Sequence, residues 1–129
     1  MTEQALLQRR MTLEPVPASA GEARRLVRAA LAEVGESAVV DAAELAVSEL
    51  VTNAVLHAAT PLELSIEVTA AAVTVQVRDD HPRLPVQRDS SSSATTGRGL
   101  AIVAALAHAH GVDVHDPGKA VWFRLLRGH

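Results

Sequence analysis

With 129 residues, the chain is long enough for one compact domain with its own core and too short for two domains of ordinary size. A hydrophobic fraction of 48% excludes wholesale disorder, and an aromatic fraction of 2% argues against a platform on which nucleic-acid bases stack. The net charge of -3, with Lys119 as the only lysine, lacks the positive excess expected of a protein that binds nucleic acid directly.

The first ten residues carry no clear periodicity. We treat residues 1–10 as a candidate disordered segment, followed by a single domain over residues 11–129. A short strand is predicted at 11–13, because Pro15 and Pro17 exclude a helix immediately after it.

Two amphipathic helices are predicted next. Ser19 is a candidate N-cap, and Glu22 is the matching capping-box residue. The helix that they open is predicted to run from Gly21 to Val34, and Gly35 ends it. The second helix is predicted over residues 37–59, with its core-facing residues at helical spacing.

The remaining elements are four strands and a third helix. The strands are predicted at 62–69, 72–79, 111–115 and 120–126, and the helix at 100–109. Residues 80–96 have turn and loop composition and are expected to form a mobile connection. Paired strands separated by helices favour an α+β fold, a two-layer sandwich in which about three helices cover one face of a mixed, mostly antiparallel sheet of about five strands.

The composition also indicates a compartment. The sequence contains no cysteine, which excludes disulfides and thiolate chemistry and is typical of a reducing environment. No apolar run approaches the roughly 20 residues that span a bilayer, and the N-terminus lacks the apolar stretch of a signal peptide. We therefore expect a soluble cytoplasmic protein with no membrane partner.

The second predicted helix carries a polar line that its core-facing residues do not explain. Glu49, Asn53 and His57 recur one helical turn apart, beside the small residues Ala42 and Ala46, where a ligand could approach the helix closely. His57 is about 12 Å along the axis from Glu49, too far to share one metal ion with it. From spacing alone, a hydrogen bond between two surface residues explains Glu49 and Asn53 at least as well as a binding site does.

The chemistry of the pair is compatible with a metal-bound triphosphate. Mg²⁺ prefers hard oxygen ligands and keeps water and phosphate in its other positions, so the amide oxygen of Asn53 is a candidate metal ligand. Glu49 lies one turn away, where it could orient or deprotonate a hydroxyl or water that attacks the γ-phosphate.

Two further features indicate nucleotide binding only in combination. Gly97-Arg98-Gly99 directly precedes Leu100, the predicted first residue of the third helix, so backbone N–H groups at the positive end of a helix dipole could bind an anion. Asp79 ends a strand, where its carboxylate could accept a hydrogen bond from an amino group such as that of adenine. Each feature alone is equally typical of an ordinary turn.

In this order along the chain, the motifs resemble the Bergerat-fold (GHKL) ATPases. The most specific match is the segment 44–57, which contains Glu49 and Asn53 and is similar to the N-box of that family. Residues 118–123 resemble its closing strand. Within the family, the chain looks like the anti-sigma-factor serine/threonine kinase branch, and the resemblance covers about residues 11–126.

The resemblance implies a compact domain that binds ATP and Mg²⁺. The nucleotide-binding residues that it implies are Asn53, Asp79, Gly97, Arg98, Gly99 and Leu100. Asn53 would bind Mg²⁺, Glu49 would be the general base, and Asp79 would bind the adenine amino group. Residues 80–96 would form a lid over the phosphates.

The same resemblance implies a function and partners. Members of this branch phosphorylate a serine on an antagonist protein, hold a sigma factor inactive and commonly form homodimers. The chain is thereby expected to be an ATP-dependent protein serine/threonine kinase whose partners are a sigma factor, an anti-anti-sigma antagonist and a second copy of itself.

Two departures from the family pattern leave alternatives open. The first glycine box reads Asp-x-Gly-x-Gly-Leu-Pro in the family, whereas residues 79–85 contain no glycine. The closing Gly-x-Thr is Gly118-Lys119-Ala120, which lacks the hydroxyl. The alternative function is a non-catalytic, nucleotide-gated protein-interaction module, and a binding domain without nucleotide is a weaker alternative.

Overall fold

The computed structural model describes residues 4–57, 60–80, 101–115 and 118–127. In chain order, its elements are β1 (Leu7–Leu13), α1 (Ser19–Glu33), α2 (Val40–His57), β2 (Leu62–Val68), β3 (Ala72–Asp79), β4 (Ala109–Val114) and β5 (Lys119–Leu126). Residues 101–106, shortly before β4, are helical as well.

The strands form one sheet in the order β1-β2-β3-β5-β4, and every neighbouring pair is antiparallel. The two helices lie side by side on one face, α1 over β1 and β2, and α2 over β3 and β5. Val103, from the helical residues 101–106, belongs to the same core. The expected α+β sandwich with a mostly antiparallel sheet is confirmed, in a fully antiparallel form.

The core between the two layers is almost entirely aliphatic. Because side chains alternate along a strand, every second residue of β2 and β3 points at the helices, and these are the leucines, isoleucine and valines of the sequence pattern. The largest fully buried side chains are Phe123, Leu13, Leu31, Leu62, Leu64, Ile66, Val27, Val47, Val51, Val68, Val73 and Val75. The opposite face of the sheet, which we call the open face, is largely polar.

The N-terminal boundary predicted from the sequence was wrong. β1 begins at Leu7, and residues 7–10 pair with β2, so the candidate disordered segment 1–10 does not extend to residue 10. The alternation is hidden in the sequence because Arg9, on the helix-facing side, is polar. Its guanidinium reaches Glu33 of α1 at 2.6 Å, so a charged side chain occupies a position where the pattern predicts an apolar one.

The predicted N-cap was also wrong. Ser19 is the first residue of α1, and Ala18 precedes it without a side-chain capping bond. The buried Ser19 hydroxyl instead donates a hydrogen bond to the carbonyl of Glu14 at 2.7 Å. At the other end, Gly35 terminates the helix as predicted, with a φ of 71° that favours glycine.

Two other helix boundaries differ from their predictions. α2 begins at Val40 rather than at residue 37, because the Glu36 carboxylate accepts hydrogen bonds from the N–H groups of Ala38 (2.7 Å) and Val39 (3.2 Å) and holds them in the turn that precedes the helix. The third helix was expected to reach residue 109, but Ala109 already pairs with β5.

A buried charge network closes one end of the sheet, which we call the Arg127 end. Arg127, directly after β5, donates from Nε to Glu36 at 2.9 Å, and from its other nitrogens to the carbonyls of Thr69 (2.9 Å) and Val34 (3.3 Å). The Glu36 side chain is only 3% exposed. Burial acts to raise the pKa of Glu36, but the hydrogen bond from Arg127 and those from the backbone of Val39 and Ala38 lower it overall.

Candidate functional site

The candidate residues on α2 lie on one flank of the helix. Glu44 and Ser48 face α1, where they contact Arg28 and Arg24. At about 100° per residue, Glu49 and Asn53 fall on the flank turned away from α1. Both are partly exposed. Since α2 lies over β3 and β5, this flank is directed towards the β5–β4 side of the sheet.

The C-terminal half of α2 lies at the opposite end of the sheet from Arg127. Four residues join His57 to Leu62, and they can span no more than about 18 Å. β2 starts at the sheet end where β3 finishes, because Glu63 pairs with Arg78. Asn53 is one turn from the end of α2, so Asn53 and Asp79 belong to the same end of the molecule, which we call the Asp79 end.

Asp79 is a buried carboxylate on the helix-facing side of the sheet. It continues the inward line of Val73, Val75 and Val77, and only 3% of its surface is exposed. It also has an interaction partner within the protein. An aspartate of an ordinary surface turn would be exposed, so the burial favours a ligand-binding or structural role for this carboxylate over the simpler interpretation.

The start of β5 is packed tightly against Asp79. A Cβ atom added to Gly118 would lie 2.7 Å from both the carbonyl carbon of Asp79 and the Cα of Asp80, a distance that no side chain tolerates. The glycine is therefore required by the close approach of two backbones. Its neighbour Lys119 pairs directly with Asp79.

The residue after Asp79 is held on the open face. The Asp80 carboxylate lies 3.4 Å from Nε of Arg78 and 3.5 Å from Nε2 of His115, the residue that follows β4. The N–H of His115 also donates to the carbonyl of Gly118 at 2.8 Å. The ends of three strands are thus joined around the point where the chain leaves β3.

The register between β3 and β5 shows to which face of the sheet the residue at the position of the missing threonine points. Ala120 occupies the position of that threonine, and it pairs with Arg78, not with Asp79. Directly paired residues of antiparallel strands point to the same face, so Ala120 belongs to the open face. The residue that shares the helix-facing side with Asp79 is Lys119.

Several predicted site residues lie outside the described part of the chain. These are Gly97, Arg98, Gly99 and Leu100, together with all but the first residue of the segment 80–96. His57 is exposed at the end of α2. Two open depressions formed by described residues, of about 380 and 240 Å³, lie on the open face and involve neither Glu49 nor Asn53.

The donor chemistry around Asn53 suits a phosphate-bound Mg²⁺ better than a protein-enclosed metal. Among the residues with described positions, no group of three or more His, Cys, Asp or Glu side chains is arranged to hold a metal ion. A magnesium ion here would take one amide oxygen from Asn53 and its other ligands from phosphates and water, which is typical of Mg²⁺ in nucleotide sites.

In the described chain, none of the helices is long and apolar enough to cross a membrane.

Sequence reasoning missed three residues at this end of the sheet. Val112 and Val114 were assigned to a strand and Lys119 to the turn before the last strand, all without a role, because their relation to Asp79 depends on β5 pairing with β3 and on the register of that pair. The sequence contained one usable signal, since Lys119 directly follows the turn before β5 and is the only lysine.

Comparisons with known proteins agree with this architecture. The model of the histidine kinase-like ATPase domain family matches residues 13–125. A comparison with curated protein sequences returned no match. Among solved structures, the RsbU and RsbW domains of Rv1364c from Mycobacterium tuberculosis superpose with a TM-score of 0.73 at 20% sequence identity. The match covers 95% of this chain and 33% of that chain, so the present chain spans about a third of its length. The resemblance to the Bergerat-fold ATPases is confirmed, and the chain belongs to the histidine kinase-like ATPase domain family.

Proposed function

We propose that the chain binds Mg-ATP at the Asp79 end of the sheet and transfers the γ-phosphoryl group to a serine or threonine of an antagonist protein. The observation that carries the proposal is the placement of Glu49 and Asn53 on the flank of α2 turned towards β5 and β4, at the end where Asp79 is buried. In this arrangement the amide of Asn53 binds the metal and Asp79 binds the adenine amino group. The backbone at Gly97 and Gly99, next to Arg98 and Leu100, binds phosphate.

The transfer step assigns a separate task to Glu49. The hydroxyl oxygen of the acceptor forms a bond to the γ-phosphorus, the bond from that phosphorus to the β–γ bridging oxygen breaks, and ADP leaves. The hydroxyl proton passes to the Glu49 carboxylate. Mg²⁺, when bound, neutralises charge that develops on the phosphate oxygens.

The partners follow from the family branch. We propose a sigma factor and its antagonist as the protein partners, with a cytoplasmic location and a homodimeric state. Support comes from the sequence similarity to the anti-sigma-factor kinase branch and from the structural likeness to a chain that contains an RsbW domain.

Nucleotide binding is tested first. Saturating Mg-ATP at about 100 times its dissociation constant should stabilise the wild-type protein by roughly 2.7 kcal/mol in a thermal-shift or denaturant titration. Asn53→Ala should lose this stabilisation, and Thr52→Ala, its exposed neighbour on α2, should keep it. Equal stabilisation of both variants would contradict the assignment of Asn53.

Catalysis is tested separately from binding. Glu49→Gln should bind Mg-ATP as the wild type does and transfer phosphoryl groups to an antagonist about 100-fold more slowly or worse. Residues 79–85 lack the family's box glycines, which specifically favours one other function, a nucleotide-gated interaction module. That function predicts ATP-dependent partner binding, with no phosphoryl transfer by the wild type or by Glu49→Gln.

A further inference from the structure

Lys119 and Asp79 form a cross-strand pair of opposite charge. They are directly opposed in the antiparallel β3–β5 ladder, so both side chains leave the sheet on the helix-facing side with their Cβ atoms about 5 Å apart. Asp79 is buried, and Lys119 is partly exposed. A carboxylate that accepts and an ammonium that donates hydrogen bonds therefore stand side by side at the Asp79 end.

An exposed apolar surface adjoins this pair. Val114 pairs with Lys119, and Val112 pairs with Val121, so Val112 and Val114 lie on the helix-facing side too. Val114 is 80% exposed and Val112 is 49% exposed, whereas the inward residues of β2 and β3 are buried. Within the described residues, the helical layer does not extend over this corner of the sheet. Apolar surface bordered by a few polar groups is typical of a ligand site.

A purine ring matches both properties. Adenine has an amino donor at N6 next to an acceptor at ring N1, and its faces are apolar. Asp79 and Lys119 each have an interaction partner already, but a carboxylate has about four acceptor positions and an ammonium three donor hydrogens, so each can take a ligand in addition.

We propose that Lys119 is a specificity-determining residue of the nucleotide site, which donates a hydrogen bond to N1 of adenine while Asp79 accepts one from the N6 amine. The ring then rests against Val112 and Val114. This inference depends on the proposed ATP binding and identifies the residue that recognises N1 of the adenine base. It also assigns a function to the middle position of the Gly-x-Thr motif, which the motif leaves unspecified.

The test compares ATP with 1-deaza-ATP, in which a C–H group replaces N1 and the amine is retained. Titration calorimetry should show that the wild-type protein binds 1-deaza-ATP about tenfold or more weakly than ATP, because a hydrogen bond from a charged donor is lost. Lys119→Met should bind both nucleotides with similar, weakened affinity. Lys119→Arg, which keeps a charged donor, should still prefer ATP.

Arg78→Met is the matched control, because Arg78 is the neighbouring cation at the same sheet end but points to the open face. It should discriminate between the two nucleotides as the wild type does. Equal affinity of the wild type for ATP and 1-deaza-ATP would refute the role of Lys119 and leave ATP binding intact, even if Lys119→Met did not fold. Absence of any ATP binding would refute the proposed function and this inference together.

Discussion

The two ends of the sheet are closed in different ways. At the Arg127 end, an arginine with a largely buried side chain satisfies a buried carboxylate and two carbonyls from two separate parts of the chain, the segment after α1 and the end of β2. At the Asp79 end, a buried carboxylate and a lysine adjoin the exposed valines of β4. The protein completes its own interactions at the Arg127 end, whereas at the Asp79 end it has exposed apolar surface, which in the proposed function contacts the nucleotide.

Helix α2 connects these two ends, and its burial changes along its length. Glu36 holds the turn that precedes its first residue at the Arg127 end, and its buried residues, Ala43, Ala46, Val47, Leu50 and Val51, lie in the first two thirds of the helix. The last turns, which carry Asn53, are less buried. The helix is thus fixed at one end and presents its polar flank at the other.

The largest expected effect comes from breaking the Arg127 end. Arg127→Met leaves the buried Glu36 charge without its partner, which should lower the free energy of unfolding by about 3–5 kcal/mol. Chemical denaturation measures the loss. If the two ends are independent, the folded fraction should bind Mg-ATP with wild-type affinity.

The control for this substitution is the arginine–glutamate contact between β1 and α1. Arg9 and Glu33 are about half exposed, so Arg9→Met should cost less than about 1 kcal/mol. Combining Arg127→Met with Glu36→Gln should recover part of the loss, because the double variant buries no unpaired charge. A loss of similar size for Arg9→Met and Arg127→Met would contradict the proposed difference between the pairs.

The positions of the candidate site residues within their elements could be predicted because they are local. Glu49 and Asn53 lie on one helix at a fixed spacing, and Asp79 ends a strand with a clear alternation, so short-range periodicity placed them on α2 and β3 but did not by itself indicate a nucleotide site. The Arg127 network escaped prediction for the opposite reason. Arg127 and Glu36 are 91 residues apart in sequence, and no local pattern indicates that two charged residues meet in the interior.

The second largest effect is expected at Gly118, at the other end of the sheet. Gly118→Ala forces a Cβ atom against the backbone of Asp79 and Asp80, which should destabilise the fold by roughly 1–3 kcal/mol. Unlike Arg127→Met, it should also weaken Mg-ATP binding, because the strand that carries Asp79 must shift. Denaturation and nucleotide titration of the same preparation separate the two effects.

Gly21→Ala provides a control in which a glycine-to-alanine substitution is expected to raise the free energy of unfolding. Gly21 lies in the first turn of α1, where a Cβ atom would meet only arginine side chains at 3.5 and 3.6 Å. The substitution should stabilise the protein by up to roughly 1 kcal/mol, since alanine has a higher helix propensity than glycine.

For Gly118→Ala, a loss of stability with unchanged nucleotide affinity would contradict the proposed contribution of Asp79 to nucleotide binding.

Strand register marks the limit of what the sequence could predict. The strands β2 to β5 were predicted close to their observed positions, yet the order β3-β5-β4, which places Lys119 beside Asp79, is a property of tertiary pairing. Without this register, the absence of a threonine at position 120 suggests that a hydroxyl contact is missing from the adenine site. In the observed register, the side chain of residue 120 lies on the open face, opposite to that of Asp79.

The smallest expected effect is the pH dependence of the Arg127 end. The pKa of Glu36 is lowered in the folded protein from its usual 4.5, despite the opposing effect of burial, so the unfolded chain binds a proton more readily than the folded one. The stabilisation is therefore fully present above about pH 4.5 and is lost as the pH falls through the lower folded value. Denaturation at pH 7 and pH 3 should show a smaller acid-induced loss for Glu36→Gln than for the wild type, and Glu33→Gln should resemble the wild type because Glu33 is exposed. An equal acid-induced loss in Glu36→Gln and the wild type would mean that other carboxylates determine acid sensitivity and that the Arg127 end contributes none of it.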